Sequence, residues 1–221
     1  PLITTGRRTY WAVRSLVGQR SLLFFQADRQ FPRMADDRTA CYIGEHPAAM
    51  QRAFRAQPDQ GDEHVRRLRA GHRLVGTEDA AGDLAAWGWI TAPRARNIEV
   101  PWEWGSQLLV APRAAYLWDF FTHPWARGRG LYKALLAHAV RYCIERGADY
   151  VGIYCNAENH ASWRGIVGAG LSGPIRVRLR RIGPIYLAGD GPGRMLVRTG
   201  SAFPLDRVLG LALPLEAPAP T

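Results

Sequence analysis

The sequence predicts a mixed α/β fold, with parallel strands at the middle of the sheet. One observation is the dense apolar and aromatic run Ala115–Thr122, which reads as a buried strand. The second is the helical period that follows it. Leu131, Leu135, Ala139 and Cys143 form one row, Leu136, Val140 and Ile144 lie beside it, and Lys133, Ala137, Arg141 and Glu145 line the opposite side. The third is the return to strand character over Tyr150–Cys155. A strand, a helix and a second strand in this order make a right-handed crossover between parallel neighbours.

The elements around that centre follow from local signals. Ser21–Gln26 reads as a strand. Pro47–Ala56 and Glu63–Ala70 read as short helices separated by the turn residues Gln57–Asp62. His72–Thr77 and Leu84–Ile90 are strand-like, with a hairpin loop over Glu78–Asp83. Pro93–Gln107, which holds Trp102 and Trp104, reads as irregular. The helix over Leu131–Arg146 ends at Gly147, a natural terminator. A second helix is expected over His160–Ala169, then strands over Ile175–Ile182, Pro184–Ala188 and Met195–Arg198. The Pro/Ala tail after Leu215 is expected to be disordered.

Composition narrows the class without deciding it. In 221 residues, 47 % are hydrophobic and eight are Trp, enough for a substantial core. No apolar run approaches the ~18 residues of a membrane span, and Arg14 and Arg20 interrupt any secretory leader. The expectation is a cytoplasmic protein with no membrane partner. Cys41, Cys143 and Cys155 are odd in number and lack metal-type spacing, so buried free thiols and no metal are expected. All but one of the 29 basic residues are Arg, and the net charge is +10. That charge suits a phosphate-bearing cofactor and a nucleic acid alike. Arg176, Arg178 and Arg180 alternate with Val177 and Leu179. They are expected to form a solvated strand face near a sheet edge, not a nucleic-acid site, because no aromatic interleaving accompanies them.

The chemistry is concentrated between the buried strand and the helix, in Thr122-His123-Pro124-Trp125-Ala126-Arg127-Gly128-Arg129-Gly130-Leu131-Tyr132. A glycine-rich turn opening a helix presents main-chain N–H groups and the positive end of the helix dipole to an anion. Arg127 and Arg129 add charge. A P-loop is excluded, because no Gly-Lys-Ser/Thr follows. The dinucleotide fingerprint is excluded as well, because Lys133 stands where its third glycine belongs.

The stretch Arg127-x-x-Gly130-x-Tyr132 instead resembles the Arg/Gln-x-x-Gly-x-Gly/Ala pyrophosphate loop of the GNAT acyltransferases, departing only at Tyr132. Asn159-His160-Ala161-Ser162 through Gly170-Leu171 is similar to that family's Asn-x-Ala-Ser…Gly-Phe segment, at the matching separation. Asn159 and Ser162 also suit a helix cap.

The resemblance implies a mostly antiparallel twisted sheet with a central parallel strand pair, flanked by helices. It implies one domain over residues 1–215, with acceptor-side helices in 1–75 and an acyl-CoA-binding core in 108–172, followed by a tail over 216–221. The implied activity is direct transfer of an acyl group from acetyl-CoA, or another acyl-CoA, to an amine of a small molecule or peptide, by a monomer or homodimer. A donor carried on an acyl- or aminoacyl-carrier is the alternative within the same fold. A catalytically silent module that binds CoA or nucleic acid is the alternative outside it.

Implied cofactor contacts are Phe120, Phe121 and Thr122, the loop residues Arg127, Gly128, Arg129, Gly130, Leu131 and Tyr132, and Asn159 with Ser162. An amide of Phe121 or Thr122 would polarise the thioester carbonyl. Relatives often place a tyrosine that protonates the departing thiolate where this sequence has Ile166, and Tyr132 brings bulk beside the phosphates. Candidate catalytic residues are Asp119, Tyr116 and Trp118, with Asp119 the expected base as a buried carboxylate of raised pKa. Alternation puts Tyr116, Trp118, Phe120 and Thr122 on one face, so Asp119 reaches the substrates only if a bulge turns it. Glu103 is expected to be a solvated loop acid.

Overall fold

A computed structural model describes residues 17–32, 41–44, 61–79, 81–189, 195–198 and 201–204. The helix expected over Pro47–Ala56 and the tail after Leu215 lie outside these residues. The described elements, in order, are β1 (Val17–Asp28), β2 (Cys41–Gly44), α1 (Gly61–Arg69), β3 (Arg73–Glu78) and β4 (Leu84–Thr91). Next come β5 (Ile98–Pro101), β6 (Gln107–Val110), β7 (Ala114–Thr122), α2 (Leu131–Glu145), β8 (Tyr150–Asn156) and α3 (His160–Gly168). The series closes with β9 (Ser172–Ile182), β10 (Ile185–Ala188), β11 (Met195–Arg198) and β12 (Ala202–Pro204). No described helix is long and apolar enough to cross a membrane.

Nine strands form one sheet in the order β11-β10-β9-β1-β8-β7-β4-β3-β2. Every neighbouring pair in it is antiparallel except β7 and β8, the expected central parallel pair. A three-stranded sheet, β12-β6-β5, accompanies it. Pro93–Gln107 is therefore not wholly irregular: it contains β5 and a turn of 3-10 helix over Glu103–Gly105. β5 ends at Pro101 and pairs with β6, whose other partner, β12, lies about a hundred residues downstream.

The large sheet has a core on each face. On one side Leu135, Leu136, Ala139, Val140 and Cys143 of α2 pack on Leu117, Val151 and Ile153. Ala137, expected on the outer row, is buried too, because a methyl group fits where a longer side chain would not. After Arg146, Gly147 turns left-handed (φ +88°). Gly147 N–H then bonds Ile144 C=O, and Ala148 N–H bonds Cys143 C=O, closing the helix as its glycine predicts. On the other side Trp87, Trp89, Tyr116 and Trp118 pack with Val100 and Leu108 of the small sheet and with Trp102, which follows β5. Cys143 and Cys155 are buried free thiols.

The arginine face of β9 is as expected in one respect and different in another. Arg176, Arg178 and Arg180 are exposed while Val177 and Leu179 are buried. Yet β1 pairs along β9 from Ser172 to Ile182 while β10 pairs only along Leu179–Ile182, so Arg180 is flanked on both sides and Arg176 and Arg178 lie outside the register with β10.

β7 carries the distortion that matters most. Trp118 pairs with Trp89 and Phe121 with Trp87, so Asp119 and Phe120 together oppose the single residue Gly88. Asp119 takes a left-handed conformation (φ +52°) at this bulge. The extra residue resets the alternation. Phe121 joins Tyr116 and Trp118 on their face, and Phe120 joins the core under the helices. The single-face expectation for Tyr116, Trp118, Phe120 and Thr122 fails for this reason. Gly88 is the counterpart: a Cβ there would lie 2.4 Å from the Phe120 ring. Gly88→Ala should cost roughly 1–3 kcal/mol of stability in urea unfolding, through overpacking. Adding Phe120→Ala should make the Gly88→Ala step nearly free.

Candidate active site

The parallel pairing of β7 and β8 runs from Ala114–Tyr150 to Leu117–Ile153 and stops. Beyond it the strands part, and the residues that follow, Trp118 and Asp119 on β7 and Tyr154 and Cys155 on β8, line a cleft of about 710 Å³. That volume suits a small ligand.

The cleft wall is built from aromatic rings fixed by polar contacts. Trp118 Nε1–H donates to Thr91 Oγ1 (3.1 Å), and Thr91 Oγ1 lies 3.0 Å from His72 Nδ1. Thr91 Oγ1 thus accepts from the indole and shares a second hydrogen bond with the His72 ring, whose direction follows the imidazole tautomer. The His72 ring also meets Trp118 edge-on at 5.1 Å. Burial, aided by Arg67 and Arg94, lowers the His72 pKa to about 4. From α1, Arg67 lies over Trp118 (4.5 Å) and Trp89 (5.2 Å), anchored at the back by Glu63.

Asp119 enters the cleft because the bulge turns it there, and its carboxylate accepts from Arg67 Nη1 (2.5 Å). It is 49 % exposed and ion-paired, so it is not the buried carboxylate expected. Glu103 is the reverse case. Expected in solvent, it is 8 % exposed. Its Oε2 accepts from Arg20 (2.5 Å) and its Oε1 from the Tyr154 hydroxyl (3.1 Å). The flanking Trp102 and Trp104 were the signal of its burial; both pack around Tyr186. Burial and the Glu103 charge push the Tyr154 hydroxyl well above its usual range. Tyr116 is fully buried, lines the cleft, and its hydroxyl has no partner among the described residues. Arg20 and Arg67 are site residues that the sequence pattern did not single out.

The loop after β7 forms a second cavity of about 510 Å³, lined by Thr122, Arg127, Gly128, Gly130 and Leu131 among others. Gly128 (φ +76°) and Gly130 (φ +78°) are left-handed, and a Cβ on either would meet nothing within 4 Å. Open space thus lies over the backbone. Gly130 caps α2 without any side chain bonding the first amides, so those N–H groups face the cavity uncapped. Arg127 and Arg129 are exposed beside them, Arg127 Nε donating to Thr122 C=O (3.2 Å). At α3 the opposite holds: Asn159 Oδ1 accepts from Ser162 N–H (3.1 Å), the capping role expected. A diphosphate fits the first arrangement and not the second. Among the described residues no cluster of His, Cys, Asp or Glu could hold a metal.

A pH effect follows from His72. Its folded-state pKa is depressed below the unfolded ~6.5, so its contribution to stability is complete above pH 6.5 and lost as pH falls toward 4. The loss should reach about 3 kcal/mol. Urea unfolding between pH 7 and 4 checks this, and His72→Phe should flatten the slope.

Comparison with known proteins agrees with this geometry. The family model described as the acetyltransferase (GNAT) family matches residues 31–164. A search by sequence of curated proteins finds no match. Among solved structures, a protein described as a GNAT-family acetyltransferase from Novosphingobium aromaticivorans aligns with a TM-score of 0.52 at 19 % identity, over 79 % of this chain and 67 % of the other. A GNAT-family acetyltransferase from Colwellia psychrerythraea aligns with a TM-score of 0.53 at 15 % identity, over 79 % and 61 %. This chain thus spans about two thirds of their lengths, and at such identities the likeness shows the fold. The family model covers more than half of the sequence, including the strand, loop and helix that form the site, and the chain belongs to the acetyltransferase (GNAT) family.

Proposed function

We propose that the protein transfers an acyl group, acetyl in the simplest case, from an acyl-CoA directly to the amine of a small molecule or peptide. The observation that carries this reading is the uncapped start of α2, beside open space over Gly128 and Gly130, at the mouth of the cleft where β7 and β8 part. In this reading residues 108–172 are the acyl-CoA-binding core. The amides from Gly128 to Tyr132 hold the diphosphate, with Arg127 and Arg129 adding charge. Asn159 and Ser162 flank the pantetheine arm. The β7 backbone from Phe120 to Thr122, left without a β8 partner, pairs with that arm, and an amide of Phe121 or Thr122 polarises the thioester carbonyl.

Acceptor amines arrive largely as ammonium, with a pKa near ~10.4 for an alkylamine. Asp119, brought onto the cleft face by the bulge, takes the proton directly or through water. Its oxygen toward Arg67 is fixed, which orients the other. Glu103, already bonded to Arg20 and Tyr154, shapes the acceptor end of the cleft, together with Tyr116 and Trp118.

Two outcomes are expected. Gly130→Glu places bulk and negative charge on the diphosphate site and should abolish CoA binding in calorimetry; unchanged affinity in a folded variant would refute the cofactor site. Asp119→Asn should lower kcat by about 10²-fold with CoA affinity retained. Part of that loss should return at higher pH, where more amine is neutral. Thiol release assayed with a panel of amines measures this, and a wild-type rate at every pH would leave Asp119 a partner of Arg67 only.

A further inference from the structure

The two cavities meet. Phe120, Tyr132, Asn159 and Ser162 line both. A donor with its diphosphate on the loop and its thioester in the cleft must cross this seam. Among these four side chains, Asn159 is spent on the α3 cap and Phe120 has no exchangeable proton. The remaining two carry hydroxyls, and they are bonded to each other: Tyr132 Oη lies 2.9 Å from Ser162 Oγ.

The Tyr132 phenol is held there from three sides. A Cβ on Gly165 would sit 2.3 Å from the ring, so only glycine at that position of α3 admits it. Phe120 meets the ring near-perpendicularly, with centroids 6.1 Å apart. Ser162 takes the hydroxyl. The Tyr132 ring thus packs on α3 at Gly165, with its hydroxyl at Ser162, while the residue also lines the loop cavity. Burial pushes the phenol up to about 12, so it keeps its proton at neutral pH. Ile166, one turn beyond Ser162, is fully buried and has no proton to give.

We propose that the Tyr132 hydroxyl is the proton donor to the departing thiolate, with Ser162 orienting it. This rests on the acyl-CoA reading. The amine nitrogen bonds to the thioester carbon, the C–S bond breaks, and its electron pair stays on sulfur. The phenol proton passes to that sulfur, giving the free thiol. The acceptor enters as an ammonium and sheds two protons in becoming an amide. One leaves through Asp119 to solvent; the other restores Tyr132 through Ser162 and water. The proton count closes without any further reactant.

The test uses the full chain and two donors, acetyl-CoA and acetyl-seleno-CoA, whose selenolate departs without needing a proton. Tyr132→Phe keeps the ring against Gly165 and removes only the hydroxyl. It should unfold at the wild-type temperature and bind CoA within about threefold by calorimetry. Its kcat with acetyl-CoA should fall by about 10²-fold or more, the range of a lost general acid. With the seleno donor its rate should approach that of the wild type. Ser162→Ala should show a smaller loss with the same dependence on donor, and it decides the matter should Tyr132→Phe fail to fold. Equal turnover of the thioester by variant and wild type, or an equal loss on both donors, overturns the assignment while leaving the enzyme reading intact. A wild-type chain that neither binds CoA nor releases thiol defeats both.

Discussion

The end of pairing between β7 and β8 at Leu117 and Ile153 is the constraint on which the rest of the site depends. Parallel neighbours that stay bonded leave no room between them; two that part after four paired residues open a cleft with unpaired backbone on its wall. The bulge at Asp119 sits immediately past that point, on the other edge of β7. It lets β7 remain bonded to β4 as the strand changes course. It also sends Phe120 down under the helices and Asp119 up into the cleft. Gly88 makes the arrangement possible by leaving the Phe120 ring its space.

Charge in the cleft is organised as two similar units. Arg67 lies on Trp118 and holds Asp119; Arg20 lies near Trp104 (5.7 Å) and holds Glu103. Each guanidinium is positioned by an indole face and a carboxylate together. A cleft built this way carries no excess of either sign in its described lining, so a positive chain can still admit a cationic acceptor. The surplus charge lies elsewhere, for instance along the β9 face, which neither α2 nor α3 covers.

Much of this was legible in the sequence, for identifiable reasons. The period of Leu131–Arg146, the glycine stop at 147 and the apolar runs on either side are local signals, and the structure repeats them within a residue or two. The form of the loop was legible because glycines just before a helix start leave the backbone open there. What the sequence hid is non-local. β5, β6 and β12 are too short to carry a pattern of their own and exist by pairing with one another. Alternation along β7 was correct up to Trp118 and wrong from Phe120 onward, because one inserted residue flips every side chain after it. Glu103 looked like a loop acid, since burial at a turn depends on what folds over it. The course of the Tyr132 ring was hidden as well, because it depends on Gly165, a residue of another helix.

The most direct measurement is a crystal structure with acetyl-CoA bound. The diphosphate should lie within hydrogen-bonding distance of the amides from Gly128 to Tyr132. The thioester should lie between the parted ends of β7 and β8, its sulfur next to the Tyr132 hydroxyl. Density for the cofactor away from that loop, or a pantetheine arm that never enters between the two strands, would contradict the assignment of the site.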